Sequence, residues 1–80
     1  MTTLEEARIL VADALERPVH EITPDVALGS AAGWDSLGHM RIVLSLESHL
    51  KRTLSADEII QLKSVPDIAA LLEKYSEPAS

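Results

Sequence analysis

The 80-residue chain can build one compact core and no second lobe, and its 46% hydrophobic and 2% aromatic residues predict an aliphatic interior. It contains no cysteine, which excludes disulfides, thiolate metal sites and a cysteine nucleophile. A formal net charge of −6 repels nucleic-acid phosphates and anionic membrane headgroups, so we expect protein partners and no binding to nucleic acid or membranes.

The N-terminal segment predicts the first helix. Thr3 to Glu6 matches a capping box, in which the Glu6 side chain reaches back to the amide of the capping residue. The helix should stop at Arg17-Pro18, because a residue before proline disfavours helical backbone. Apolar residues recur along one face of this segment: Leu4, Ala7, Val11, Ala14 and Leu15.

A long connection from Pro18 to Asp35 follows the first helix. Residues 23–25 (Thr-Pro-Asp) have the composition of a turn, and residues 29–33 (Gly-Ser-Ala-Ala-Gly) are typical of a flexible stretch. A loop of this length in so small a domain indicates a functional role. We expect three apolar side chains to fix it to the core: Val26, Leu28 and Trp34.

The second helix is predicted from Ser36 to Leu50, with Asp35 as its N-cap. At ~100° per residue, its apolar positions cover more than half of the helix circumference, which is wider than a surface helix needs. Part of this surface should face partners or cargo, although the same spacing also suits core residues. The apolar positions are Leu37, Met40, Val43, Leu44, Leu46 and Leu50.

Two shorter patterns predict the remaining helices. Ser55 to Glu58 matches a capping box and predicts a short third helix. Ser64 should cap a fourth helix, in which Pro66 is tolerated in the first turn. The apolar residues are Ile59, Ile60 and Leu62 in the third helix, and Val65, Ile68, Leu72 and Tyr75 in the fourth.

The predicted fold class is all-α. No segment alternates with period two for long enough to form a strand, so the economical architecture is a bundle of three main helices plus one short helix, with a long loop between helices 1 and 2. We assign residues 1–76 to one domain and residues 77–80 to a disordered tail.

The chemically informative stretch runs from Gly33 to Leu37 and places a hydroxyl at the start of the second helix. Because the first amides of a helix lack intrahelical acceptors and the helix dipole is positive there, a phosphate esterified to Ser36 would be stabilised. Asp35 supplies a hard oxygen ligand for a magnesium ion that bridges to a diphosphate donor. An Asp-Ser pair is also an ordinary N-cap, and the residues alone leave both interpretations open.

The Asp35-Ser36-Leu37 motif, in a GxDSL context that opens the second helix of a small acidic helical protein, resembles the acyl carrier protein family over nearly the whole chain. The resemblance implies an acyl-carrier-like bundle and 4′-phosphopantetheine on Ser36, transferred from coenzyme A by a phosphopantetheinyl transferase. It also implies that Asp35 serves magnesium binding and transferase recognition during that modification.

The resemblance further suggests residues that contact partner enzymes or cargo: Leu37, Met40, Arg41, Leu44, Glu47 and Ile59. Arg41 stands where a glutamate is common in the family, and Glu47 is the one acid between Leu37 and Leu50. Because the second helix of fatty-acid carriers is typically rich in acids, we expect a carrier for a dedicated lipid, polyketide, nonribosomal peptide or other specialised pathway.

The expected partners are an acyl- or aminoacyl-activating ligase and a downstream acyltransferase, synthase or thioesterase. Two alternatives remain open from the sequence: an aminoacyl or peptidyl carrier, and an unmodified helical module that binds other proteins. A helical chain of this size offers no nucleophile elbow or oxyanion hole, so we expect no enzymatic activity of its own. We also expect a cytoplasmic protein, since the N-terminal stretch lacks the pattern of a targeting segment. We expect a monomer, since a carrier must present one face to many partners.

Three histidines raise the question of a metal site. His20 lies in the predicted loop, and His39 and His49 are ten residues apart, which does not match the i, i+4 spacing of a helical metal site, so no metal is expected. His39 follows Ser36 by three residues and could contact its hydroxyl or an attached phosphate, but a surface position is the commoner outcome.

Overall fold

The computed structural model describes residues 2–29 and 33–76. In chain order the elements are α1 (Thr3–Leu15), a 3-10 turn (Val19–Glu21), α2 (Ser36–Leu50), α3 (Ala56–Gln61) and α4 (Val65–Ser76). The predicted all-α bundle of three main helices and one short helix is confirmed. The predicted tail, residues 77–80, and the centre of the predicted flexible stretch, residues 30–32, lie outside the described residues.

The core lies where α1 packs against α4 and α2. It is aliphatic apart from Trp34, which is completely buried. Burial of this apolar surface is the main force that holds the bundle together. Ile42 in α2 is also fully buried, although the predicted apolar row of that helix omits it. Within the described ranges, no helix is long and apolar enough to cross a membrane.

The capping residue of α1 lies one position earlier in the chain than predicted. Thr2, not Thr3, is the N-cap, and its hydroxyl accepts a hydrogen bond from the Glu5 N–H at 3.1 Å. The two adjacent threonines and two adjacent glutamates allow both registers, and the choice between them was wrong. The C-cap is Glu16, in a left-handed conformation with φ 56°, so the helix ends before Arg17-Pro18 as predicted.

The long connection is fixed to the core by its backbone as well as its side chains. The predicted turn is present, with the Val26 N–H donating to the Thr23 carbonyl at 3.0 Å. The Val26 carbonyl accepts from Val65 at 3.3 Å, and the Leu28 N–H donates to the Lys63 carbonyl at 2.8 Å. Val26 is buried, but the Leu28 side chain is exposed, so the prediction that it anchors the loop is wrong. Its backbone performs that role instead.

The capping box of α3 is confirmed and also joins α3 to α4. Glu58 donates its N–H to the Ser55 hydroxyl at 3.1 Å and accepts from the Ser55 N–H at 2.9 Å. Its second oxygen accepts from the Tyr75 hydroxyl and from Lys74 Nζ, the latter at 3.4 Å. The hydrogen bonds from the Ser55 backbone and from Tyr75 lower the pKa of Glu58 from 4.5 to about 2.

We expect the free energy of unfolding to depend on Glu58 in acid. Because the pKa of Glu58 is depressed in the folded state, its contribution is present above about pH 4.5 and is lost as the pH falls toward about 2. Glu58→Gln should be less stable than the natural protein above pH 4.5, and the difference should shrink in acid. Urea unfolding across this pH range measures it.

Asp57→Asn is the matched control, because Asp57 is an exposed acid in the same first turn of α3. Its stability should follow the natural protein at each pH. If the Glu58→Gln and natural curves run parallel from neutral pH to pH 2, the contacts of Glu58 do not contribute to stability in its charged form.

Candidate functional site

Ser36 is the first residue of α2 and its side chain is exposed. Asp35 is the N-cap, as predicted: its Oδ1 accepts from the Gly38 N–H at 2.8 Å, and its carbonyl accepts from the His39 N–H at 2.7 Å. Among the described residues nothing accepts from the N–H groups of Ser36 and Leu37. Two free donors and the positive end of the helix dipole thus lie beside an exposed hydroxyl, which fits an esterified phosphate.

Gly38 lets the preceding loop lie directly against α2. It is buried, and a Cβ at this position would be 2.6 Å from the Gly33 carbonyl oxygen and 2.7 Å from Leu15 Cδ2. Gly33 itself has a φ of 85°, in the left-handed region that glycine adopts without strain. The close contact between loop and helix fixes the backbone just before Ser36. Helical periodicity gives no sign of this contact, because Leu15 and Gly33 lie outside α2.

The side chains of Trp34 and His39, two residues before and three residues after Ser36, form a partly buried contact. Trp34 Nε1 donates to His39 Nδ1 at 3.0 Å, and the two rings stack with their centroids 6.2 Å apart. His39 Nε2 lies 3.1 Å from the Ile59 carbonyl oxygen. His39 is partly buried and bonded through both ring nitrogens, so the expectation of a surface histidine is wrong. Sequence spacing alone gave no signal for this contact, since Ile59 lies 20 residues further along the chain.

Three apolar side chains of α2 are exposed next to Ser36. Leu37, Met40 and Leu44 are 63%, 53% and 59% exposed. At ~100° per residue, these three and Ser36 lie within about 100° of one another around the helix axis. The interpretation of these three as core residues is therefore wrong, and the expectation that part of the apolar stripe remains uncovered is confirmed. Ile42 and Leu46, on the opposite side of α2, are buried.

The remaining residues suggested for partner contacts have intramolecular contacts of their own. Arg41 forms an exposed ion pair with Glu16 at the end of α1, with Nη1 and Oε2 3.0 Å apart. Glu47 accepts from the Leu54 N–H at 2.9 Å and so closes the turn after α2. Ile59 is half-buried and packs against the core. The charged side chains of Arg41 and Glu47 are thus paired within the protein. The apolar side chains of Leu37, Met40 and Leu44 are more than half exposed.

A helical bundle with an exposed serine at the first position of a long helix, bordered by an exposed apolar face of that helix, is the arrangement of the class of small carrier domains. Comparison with known proteins agrees. The family described as "Phosphopantetheine attachment site" matches residues 5–72. Acyl carrier protein 3 of Ralstonia nicotianae is 28% identical over 72 residues, covering 90% of this chain and 83% of the relative. The acyl carrier protein of Exiguobacterium sibiricum is 31% identical over 70 residues, covering 88% and 89%.

The chain therefore belongs to the acyl carrier protein family. Membership implies a covalently attached 4′-phosphopantetheine prosthetic group. Proteins of this family work with phosphopantetheinyl transferases and with biosynthetic enzymes, and they are generally not catalytic themselves.

Proposed function

We propose that this chain is an acyl carrier whose prosthetic group is attached to Ser36 Oγ through a phosphodiester. The observation that carries the proposal is the exposed Ser36 hydroxyl at the first position of α2, beside two backbone amides for which no residue in ranges 2–29 and 33–76 is an acceptor. These amides and the helix dipole favour an anionic phosphate at this place. When bound, the group supplies a terminal thiol that carries acyl chains as thioesters.

The attachment step uses Ser36 as the nucleophile. Its Oγ forms a bond to the phosphorus of coenzyme A that bears the pantetheine, and the bond from that phosphorus to the bridging diphosphate oxygen breaks. Adenosine 3′,5′-bisphosphate leaves, and the Ser36 proton passes to a base of the transferase. Asp35 has one carboxylate oxygen committed to Gly38. The other Asp35 carboxylate oxygen has no partner in the described part of the chain. This oxygen could hold a magnesium ion, which would offset the charge of the diphosphate.

A first experiment tests this proposal by mass. The purified chain is incubated with coenzyme A, Mg²⁺ and a transferase of broad specificity, and the intact mass is followed. We expect a gain of one phosphopantetheine, which fragmentation assigns to the peptide that contains Ser36 and not to Ser45 or Ser48. No gain under conditions that modify another acyl carrier protein would refute the proposal and favour an unmodified interaction module.

We assign partner binding to an apolar docking surface formed by Leu37, Met40 and Leu44. Together with Ser36 these side chains occupy one arc of α2, so an enzyme that contacts them also reaches the serine and its arm. A small interface of this kind suits a carrier, which must leave each enzyme after transfer. Arg41 directly follows Met40 in the sequence, and the Ile59 carbonyl contacts His39, which precedes Met40. Glu47 closes the turn that follows α2. We therefore include these three residues among those that contact partners.

The docking surface is also the basis for assigning the carrier to a dedicated pathway. Arg41, paired with Glu16, is the charged side chain nearest to it in sequence, and Glu47 is committed to Leu54. A partner that binds through a basic patch would find no free acidic side chain on this part of α2. We therefore place the chain in a specialised lipid, polyketide or related pathway. We further propose that it is a cytoplasmic monomer and that an acyl-activating ligase loads it. Support of full fatty-acid elongation at the rate of the host's ordinary carrier would contradict this assignment.

Charged substitutions on the docking surface are expected to slow modification. Met40→Asp and Leu44→Asp should each lower the transferase kcat/KM by at least about tenfold, because each replaces an apolar contact with a carboxylate that must lose its hydration at the interface. Val19→Asp, at another exposed apolar residue, in the 3-10 turn, is the control and should leave the rate unchanged. Equal rates for all three variants would show that the transferase does not bind this surface.

A further inference from the structure

The contact between Trp34, His39 and Ile59, here called the imidazole bridge, joins three parts of the molecule through one ring. We infer that His39 is a positioning residue: its neutral ring, protonated on Nε2, holds the loop before Ser36 and the helix α3 in place on α2. The bridge itself stands on geometry alone, whereas its effect on the modification of Ser36 rests on the proposed function.

The tautomer follows from the partners of the ring. An indole N–H can only donate, so His39 Nδ1 must accept from Trp34 and carries no proton. Nε2 then carries the single proton of the neutral ring and donates it to the Ile59 carbonyl oxygen. Neither the other neutral tautomer nor the charged ring can make both bonds, because each has a proton on Nδ1 that opposes the Trp34 N–H.

The bridge lies where it can control the position of Ser36. Trp34 is fully buried two residues before the serine, and its carbonyl accepts from the Gly29 N–H at 2.7 Å, which closes the loop on itself. On the other side, the Ile59 carbonyl belongs to a helix of six residues and also accepts from Leu62 at 3.3 Å, at the end of α3. Such a short helix depends on tertiary contacts for its stability. The ring therefore connects the loop before Ser36 with α3.

Protonation of the ring is not compensated by a nearby ion pair. The charged groups on the elements packed against it are Asp35, before α2, and Asp57 and Glu58, on α3. Asp35 accepts from the Gly38 N–H and Glu58 accepts from Ser55 and Tyr75, and none of the ion pairs seen among residues 2–29 and 33–76 includes His39. A second proton would thus cost the Trp34 bond and leave a buried indole N–H without an acceptor. The bridge therefore requires the neutral ring.

Nuclear magnetic resonance of the unmodified protein tests the bridge without any transferase. Imidazole ¹⁵N shifts at about pH 8 should show the Nε2–H tautomer for His39. The chain has one tryptophan, so one indole N–H signal reports on Trp34. This signal should exchange slowly with solvent in the natural protein and much faster in His39→Leu, which has no acceptor for the indole N–H. An Nδ1–H tautomer in the natural protein, or an indole N–H that exchanges equally fast in the two proteins, would overturn the inference.

The rate of modification at neutral pH tests the positioning role. His39→Gln retains an amide that can accept from Trp34 and donate to the Ile59 carbonyl, whereas His39→Leu loses both bonds. We expect the transferase kcat/KM to be about tenfold lower for His39→Leu and to be mostly retained in His39→Gln. Rescue by glutamine ties the effect to the two hydrogen bonds, because leucine fills similar space without making them.

His49→Gln, at an exposed histidine near the end of α2, should behave as the natural protein does. A folded His39→Leu variant that is modified at the natural rate would overturn the positioning role. His39→Gln decides the question even if His39→Leu is unstable, because a tenfold loss of rate in His39→Gln would also overturn the role of the two bonds. If neither the natural protein nor any variant were modified, the proposed function would be wrong. The resonance experiment would still show whether the imidazole bridge exists.

Discussion

Ser36→Ala is expected to eliminate attachment of 4′-phosphopantetheine completely while leaving the bundle folded. The substitution removes the one nucleophilic atom that lies beside the free amides at the start of α2. The Ser36 side chain is exposed, so the change should alter the free energy of unfolding by no more than about 0.5 kcal/mol. Intact mass after incubation with coenzyme A and transferase measures the first effect, and urea unfolding measures the second.

Two further serines of α2 provide matched controls for this result. Ser45 and Ser48 lie on the same helix but not at its N-terminus, so their amides are bonded within the helix and offer no anion site. Ser45→Ala and Ser48→Ala should gain the full mass of the prosthetic group. A folded Ser36→Ala variant that still gains this mass would show that another hydroxyl is the attachment point, and the assignment to Ser36 would be withdrawn.

The sequence predicts those parts of the structure that local chemistry determines. Asp35 and Ser36 were placed correctly at the N-terminus of α2, because an aspartate before an amphipathic stretch satisfies the free amides of a helix. The same reasoning located the Ser55–Glu58 capping box. Where two equivalent residues stand side by side, as Thr2 and Thr3 do, local chemistry allows both and the structure was needed to choose.

Contacts between distant residues escaped prediction from the sequence. The partners Arg41 and Glu16 are 25 residues apart, and His39 and the Ile59 carbonyl are 20 apart. Helical periodicity specifies which face of α2 is apolar, but it does not specify how much of that face the other helices cover. For this reason Leu37, Met40 and Leu44 could be recognised as apolar from the sequence, while their exposure became visible only in the bundle.

Gly38→Ala is expected to destabilise the protein and slow the modification of Ser36. Alanine is favoured over glycine inside a helix by about 1 kcal/mol. Against this, the new Cβ would lie 2.6 Å from the Gly33 carbonyl oxygen and 2.7 Å from Leu15 Cδ2. Leu15 can rotate away, but Gly33 contributes backbone, and overpacking of this kind costs about 1–3 kcal/mol. The steric cost should exceed the helix preference.

The expected net loss is about 1 kcal/mol, which lowers the melting temperature by about 4–8 °C in a domain of this size. Relief of the contact must move the backbone of Gly33, which lies three residues before Ser36, so the transferase kcat/KM should fall about tenfold as well. Thermal unfolding and the rate of mass gain measure the two effects on one sample.

A pair of variants at Ser48 separates the contact from helix preference. Ser48 is exposed on the same helix, so Ser48→Ala should be more stable than Ser48→Gly by about 1 kcal/mol. At position 38 the order should reverse, with glycine the more stable residue. If alanine proves the more stable residue at both positions, the loop does not lie against the first turn of α2 as the structure has it. The backbone that presents Ser36 would then have to be held by the Asp35 cap and the imidazole bridge alone.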